Sequence, residues 1–268
     1  MKQLQSNEVP NSSWCEHEGL IRMLNFAELN DLHIDSIITD RNRQNAAYIR
    51  NHLKPNGTKH YYDIWHIAKG IGKKIDALAK QKECEVVGLW RKSIVNHLYW
   101  VAASAGLGEG REDMLQQMWT SVSNHIQDVH EGHSDIFQEC AHGPLDDDDR
   151  DKEWLEPGTK ACEKLCGILE NKILLKDIRM LSPEYQTSSL EAFHSLILHF
   201  APKHTGFSFL AMHARVILAA IHYNENSDRE QATTGGELQY SIRFPKFKKG
   251  GYSVRKEKTN ATYGNTIQ

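Results

Sequence analysis

Along residues 33–66 the hydrophobic positions follow first a strand period, then a helical period, then a strand period again. Each strand segment leads into an acid, Asp40 after the first and Asp63 at the end of the second. Two strands joined by a crossover helix form a right-handed βαβ unit, so the strands are parallel. Parallel strands end at the same edge of a sheet, and we therefore predict that Asp40, Asp63 and His66 lie close together there.

Helical spacing of apolar residues predicts a helix before this unit, over residues 16–29, and a series of helices after it. The later helices are predicted over residues 64–81, 90–105, 113–129, 158–174, 182–199 and 207–224. Strand signals disappear between residues 84 and 181, which indicates a block made only of helices.

The patterns divide the chain into four predicted regions of a helix-rich α/β protein. Residues 1–82 form a partial α/β core, residues 83–182 an all-helical insertion, residues 183–225 two closing helices and residues 226–268 a tail. The tail is polar and its charge is largely basic, and we predict that it is disordered.

Composition limits the classes of function. The chain has 268 residues and a net charge of -3, so any binding to DNA must come from local patches. Five scattered cysteines are not a disulfide framework and favour a reducing compartment. We find no apolar run that predicts a signal peptide or a membrane span. The 15 histidines are a high number for a chain of this length, and they make a metal site a candidate feature.

Three carboxylates, Asp40, Asp63 and Glu191, are candidate ligands for a divalent cation. Mg²⁺ takes hard oxygen ligands, few of them from the protein, and two such ions stabilise the attacking and leaving oxygens of a phosphodiester. Each acid also has a simpler interpretation. Asp40 and Asp63 can cap the helices that follow them, and Glu191 can be the partner in a capping box.

Five blocks of the sequence carry a resemblance to a known family. They are ITDRN at residues 38–42, HYYDIWHIAK at 60–69, GLWRKSIVNHLYW at 88–100, QTSSLEAFHSLILHFAPKH at 186–204 and LAAIHYNEN at 218–226. The chain resembles Kolobok-type cut-and-paste DNA transposases over residues 5–254. The resemblance implies a partial RNase H-like nuclease core with a helical insertion, Mg²⁺ or Mn²⁺ as cofactor, the terminal repeats of a mobile element as DNA partner, a possible homo-oligomer and a nuclear location.

The same resemblance assigns roles to individual residues. Asp40, in Thr39-Asp40-Arg41, matches the second aspartate of the Asp-Asp-Glu triad, and Glu191 matches the glutamate, which makes both Mg²⁺ ligands. Asp63 and His66 match an aspartate-x-x-histidine signature, in which His66 orients the site or contacts the substrate phosphate.

Two departures from the family pattern change the expectation. Asn42 stands where the family usually has histidine, and the first catalytic aspartate belongs on a strand upstream of residues 16–29. We therefore expect an N-terminally truncated, transposase-derived chain whose ancestral activity was metal-dependent DNA strand cleavage and transfer, and which is inactive for lack of that aspartate. The alternative is a non-catalytic, domesticated fragment that binds DNA or protein.

A second candidate site is the series His125-x4-His130-x2-His133-x6-Cys140-x-His142. Four of these five residues can bind Zn²⁺ tetrahedrally, because mixed cysteine and histidine ligands are typical of structural zinc sites. The preferred set is His125, His130, Cys140 and His142. The spacing matches no standard zinc motif, and the alternative is a polar loop in a histidine-rich protein.

The basic tail is a candidate DNA-binding segment. Its cations are interleaved with Phe244, Phe247 and Tyr252, and charge with aromatic stacking is typical of nucleic-acid binding. The predicted DNA-binding residues are Lys246, Lys248, Lys249 and Arg255. The alternative is a solvated terminus without a partner.

Overall fold

The computed structural model describes residues 8–143, 152–183, 188–245 and 250–261. The chain forms two compact units, Met1–Thr187 and Ser188–Gln268. The described residues are α/β and rich in helix, which confirms the predicted class. No helix in these four ranges is long and apolar enough to cross a membrane.

The first unit begins with the predicted strand–helix–strand arrangement. Its elements are α1 (Ser12–Leu29), β1 (Ser36–Thr39), α2 (Arg43–Tyr48) and β2 (Lys59–Tyr62). The strands β1 and β2 are parallel, with Thr39 opposite Tyr62 at their carboxyl ends, as predicted. A π-helical turn, Ile49–Leu53, and a 3-10 turn, Lys54–Asn56, extend α2, and Gly57 then reverses the chain at a φ of 91°.

A small apolar core holds this arrangement together. Leu20 and Leu24 of α1 pack with Ile37 of β1 and with Ile49 after α2. The side chain of Ile49 has no exposed surface. Burying an aliphatic side chain of this size stabilises the fold by about 1.5–3 kcal/mol, so these four residues fix α1 and α2 against β1.

The larger core of the first unit lies among helices. These are α3 (Ile64–Leu78), α4 (Val87–Ser104), α5 (Arg111–His125), α6 (Lys160–Leu169) and α7 (Lys172–Ile178). On α3, Ile67, Ile71 and Ile75 recur at helical spacing and are almost fully buried. The predicted helix over residues 158–174 is in fact two helices, because the Asn171 side chain accepts hydrogen bonds from the first-turn amides of α7 and starts a new helix.

The helical block returns to the sheet after α7. Leu181 forms a parallel bridge with Tyr62, and the Tyr62 amide donates to the Met180 carbonyl at 2.7 Å. Arg111 ties this return segment to α4, because its guanidinium donates to the carbonyls of Leu181 and Ala102. The end of β2 is therefore held from the β1 side and from the helical block.

The described residues of the second unit form two helices and two hairpins. Its elements are α8 (Ser188–Phe200), α9 (Phe209–Asn226), β3 (Thr233–Thr234), β4 (Glu237–Leu238), β5 (Tyr240–Arg243) and β6 (Ser253–Lys256). The two hairpins differ from the disordered tail that we predicted. Gly235 and Gly236, both at positive φ, form the two-residue turn between β3 and β4 that the composition of the tail obscured.

Candidate metal centre and acidic sheet edge

Three of the predicted zinc ligands lie on one loop next to the end of α5. His125 is the last residue of α5, and residues 130–140 form a short hairpin after it. The Cys140 amide donates to the His130 carbonyl at 2.9 Å, and Glu131 bridges to Glu139. The hairpin therefore holds His130 opposite Cys140, although ten positions separate them in the sequence.

The preferred ligand set comes together in the structure. One potential ligand atom from each of His125, His130, Cys140 and His142 lies within 4.8 Å of the other three. Nδ1 of His125 lies 3.4 Å from Nε2 of His142 and 3.6 Å from Sγ of Cys140. In a tetrahedral zinc site, with Zn–N of about 2.1 Å and Zn–S of about 2.3 Å, neighbouring ligand atoms lie about 3.4 Å (N–N) and about 3.6 Å (N–S) apart. These residues can hold a metal such as zinc.

Hydrogen bonds outside the cluster orient two of the imidazoles. Nε2 of His130 donates to the Asp128 carboxylate at 3.1 Å, and Nδ1 of His142 donates to the Gly143 carbonyl at 2.8 Å. Nδ1 of His130 is buried and has no hydrogen-bond partner among the described residues. A buried nitrogen without a hydrogen-bond partner destabilises the folded state, and a metal ion bound to Nδ1 would supply the missing partner.

His133, which lies outside the preferred set, contacts the sulfur. The Asn124 amide donates to Nδ1 of His133 at 3.1 Å, so the ring hydrogen of His133 is on Nε2. That Nε2 lies 3.2 Å from Sγ of Cys140 and donates to it. Burial raises the pKa of the Cys140 thiol, whereas a bound cation and this donor both favour the thiolate.

An aromatic wall supports the cluster on one side. The Trp154 ring lies 5.5 Å from the His125 ring and 5.3 Å from the His130 ring, and it stacks on Trp90 at 5.5 Å. The Leu155 amide donates to the Ile126 carbonyl at 2.9 Å and fixes this segment beside the end of α5. Sequence periodicity gave no signal for Trp154, because it stands outside any helix.

The sheet edge places two of the predicted acids after adjacent strands. Asp40 follows β1 and Asp63 follows β2, and the Asp63 amide donates to the Thr39 carbonyl at 2.9 Å. The Asp63 carboxylate, only 5% exposed, accepts from the Trp65 amide at 3.0 Å and from Nδ1 of His66 at 2.7 Å. The simpler interpretation of Asp63 as a helix cap is thus also correct, and the cap holds the His66 ring.

Asp40 lies in an open cleft with His66. Oδ1 of Asp40 accepts from the Asn42 amide at 3.0 Å, and Glu16, Arg43 and Gln44 also line the cleft. Asn42, rather than Asp40, caps α2, because its side chain accepts from the first-turn amides of that helix.

Arg41 has a partner that the sequence did not indicate. Its Nη1 lies 2.8 Å from Oδ2 of Asp177, which is buried on α7. This ion pair ties the segment after β1 to the helical block, so Arg41 has a structural role beside the candidate site.

The remaining predicted residues belong to the second unit. Glu191 is exposed in the first turn of α8, and its pairing with Asp40 stays a prediction, because the two residues belong to different units. Arg255 is exposed on β6. Lys246, Lys248 and Lys249 lie outside the described residues.

Comparisons with protein-family models, with curated proteins and with solved structures find no match. The functional conclusion therefore depends on the residues of this chain and on their geometry.

Proposed function

We propose that this chain is a transposase-derived protein that binds DNA, with the edge formed by Asp40, Asp63 and His66 as part of the ancestral active site. The observation that supports this proposal most directly is the parallel register of β1 and β2, which leaves two acids side by side at their carboxyl ends. Open α/β sheets build their sites at this edge. The sequence resemblance supplies the reaction class, metal-dependent strand cleavage and transfer.

The acids have different roles in this proposal. Asp40 keeps carboxylate oxygen capacity beyond its one bond to the Asn42 amide, so it is the proposed ligand of Mg²⁺ or Mn²⁺. The assignment of Glu191 as a further ligand is supported by the sequence resemblance alone. Asp63 is occupied by the cap and by His66, so it is a positioning residue. His66 then presents Nε2 to a substrate phosphate in the cleft that it shares with Asp40.

The test is cleavage of DNA that carries the terminal repeats of the related element, with Mg²⁺ or Mn²⁺. No residue of this chain matches the family's first catalytic aspartate, so the proposal expects DNA binding without strand cleavage, and an affinity that Asp40→Asn and Glu191→Gln weaken. Cleavage that Asp40→Asn and Glu191→Gln abolish, and that Asp35→Asn leaves unchanged, would show instead that the chain is active. Asp35 is the matched control, because it is an almost fully exposed acid at the other end of β1.

The alternative function is non-catalytic binding of DNA or protein. It predicts a salt-dependent DNA affinity, without cleavage, that survives both Asp40→Asn and Glu191→Gln. That result would overturn the role of the Asp40 and Glu191 carboxylates and leave the DNA-binding part of the proposal in place. Absence of any DNA affinity at low salt would overturn both.

We also propose that His125, His130, Cys140 and His142 bind one zinc ion with a structural role. The agreement of the 3.4 Å and 3.6 Å ligand separations with a tetrahedron supports this assignment. Four protein ligands leave no open position for a substrate, which is typical of structural zinc. The ion would hold the 130–143 loop against the end of α5.

The zinc proposal is tested by metal analysis of the purified protein and by cobalt substitution. We expect about one equivalent of zinc and, with Co²⁺, a thiolate charge-transfer band that Cys140→Ser removes and Cys15→Ser retains. Cys15 is the control because it is partly buried and lies on α1. A protein that holds no zinc, or a Cys140→Ser variant with unchanged zinc affinity, would show the assignment to be wrong.

A further inference from the structure

A cavity of about 410 Å³ opens between α4 and the loop that carries the zinc ligands. This size lies within the usual range of small-ligand sites. Zinc ligands of the proposed centre form one part of its wall, and aromatic residues of α4 and of the loop form much of the rest. All of these residues belong to the first unit.

Three aromatic rings, tilted with respect to one another, line the cavity. The Trp100 ring lies 5.4 Å from the His97 ring at an interplanar angle of 31°, and 6.0 Å from the Phe137 ring at 59°. His97 belongs to this lining as a neutral ring, since burial lowers its pKa and its Nε2 donates to the Met118 carbonyl. Trp100 and Phe137 are only partly buried, and both line the cavity.

Two polar side chains of α4, Ser93 and Asn96, also line the cavity. Asn96 is exposed and brings an amide that both donates and accepts. The Ser93 hydroxyl, which also lines the cavity, accepts from the Lys152 ammonium, and that ammonium lies 5.4 Å from the centroid of the Trp90 ring. The cavity thus combines aromatic rings, a hydrogen-bonding amide and a nearby cation.

We infer that this cavity binds a single unpaired base of a DNA strand, an inference that rests on the proposed DNA function. The base and the phosphate of a nucleotide both have matching groups: the aromatic rings for the base face, Asn96 for the base edge and Lys152 for the phosphate. Stacking of a base on an aromatic ring accepts any sequence, whereas a side-chain amide distinguishes base edges. An aliphatic side chain of a protein partner would use the rings but neither of the polar groups.

The experiment measures the binding of short single-stranded oligonucleotides, with 2-aminopurine at one position, to the full chain. Stacking in the cavity is expected to quench the 2-aminopurine fluorescence. Trp100→Ala is expected to weaken the affinity roughly tenfold, and Trp100→Phe is expected to retain most of it because a ring remains. Trp14→Ala is the matched control, since Trp14 is a partly exposed tryptophan on α1.

Two further variants test the polar side. Asn96→Ala is expected to reduce the difference in affinity between oligonucleotides of different base, without changing the dependence on salt. Lys152→Gln is expected to lower the slope of log affinity against log salt by about one. If Trp100→Ala does not fold, the base site is still tested by the quenching in Trp100→Phe and by the base preference in Asn96→Ala. Unchanged quenching and base preference in both Trp100→Ala and Asn96→Ala would overturn the inference.

The failure of this inference differs from the failure of the proposed function. Duplex DNA binding that persists in Trp100→Ala, with no quenching in the wild type, overturns the base site alone. The base site would also be overturned if an aliphatic peptide at equal concentration displaced the oligonucleotide. That result would favour a protein ligand in the cavity. If the wild-type chain does not bind duplex DNA at all, the proposed function is overturned.

Discussion

Oδ2 of Asp63 accepts a hydrogen bond from Nδ1 of His66 at 2.7 Å, and Oδ1 of the same carboxylate caps α3 through the Trp65 amide at 3.0 Å. One buried carboxylate therefore starts the helix and orients the imidazole that faces the candidate cleft. The two tasks can be separated by substitution, because asparagine can cap a helix but carries no charge for His66.

We predict that Asp63→Ala lowers the free energy of unfolding by about 1–2 kcal/mol, since it removes the cap of α3. Asp63→Asn should lower it less, because the amide oxygen can still accept from the Trp65 amide. Urea denaturation followed by circular dichroism measures both. Equal losses for the two variants would show that the charge, rather than the cap, is what stabilises the start of the helix.

The ion pair between Arg41 and Asp177 should respond unequally to removal of either partner. Asp177 has only 9% of its side chain exposed, whereas Arg41 has 45%. Arg41→Ala leaves a buried carboxylate without its partner and should cost about 1–3 kcal/mol, whereas Asp177→Asn frees a guanidinium that reaches water and should cost less. Thermal unfolding of the two variants gives the comparison, and an equal or reversed order would contradict the prediction.

The Asp128 carboxylate should strengthen zinc binding although it is not a ligand. It accepts from Nε2 of His130 and so directs Nδ1 of that ring toward the cluster. Loss of such a partner usually lowers metal affinity by about 10- to 100-fold, and we expect Asp128→Ala to do so in competition with a chelator. Asp135→Asn, at an exposed acid in the same loop, is expected to leave the affinity unchanged.

His97 should make the stability of the chain fall in mild acid. Burial lowers its pKa below the ordinary value of 6.5, so the unfolded chain binds a proton at a higher pH than the folded chain. The contribution of the neutral ring is complete above about pH 6.5 and is lost as the pH falls toward the folded pKa. His97→Gln keeps a donor for the Met118 carbonyl and should show a shallower loss of stability between pH 7 and 5. A slope equal to that of the wild type would contradict this role.

Periodicity predicted much of the fold but not its connections. The isoleucines of α3 and the alternation in β1 specify their elements locally, which is why the parallel βαβ unit is confirmed. The bridge between Tyr62 and Leu181 and the guanidinium contacts of Arg111 join distant positions, and no local pattern indicates them. The hairpin between β3 and β4 has a local signal in Gly235-Gly236, because two consecutive glycines favour a two-residue hairpin turn. The polar composition around them indicated disorder instead.

The candidate sites show the same division. The ligand set was predicted from residue type alone, and the structure brings its four members together through a hairpin whose pairing the sequence did not indicate. Asp128 and Trp154, which contact these ligands, could not be predicted, because they have ordinary residue types and irregular spacing. His133 was among the five candidates, but its role as a donor to the Cys140 sulfur was not predicted.

The return of Leu181 to the side of Tyr62 has a consequence for the order of folding. This pairing closes a loop that contains α3 to α7. The chain must therefore lose the conformational entropy of loop closure before the bridge can stabilise the fold. The helical block forms mainly local contacts and should fold early, whereas the bridge should form late. During synthesis the strand before Asp40 leaves the ribosome long before Leu181 does. The edge that carries Asp40 and Asp63 should therefore reach its final structure only after helices α3 to α7 have been synthesised.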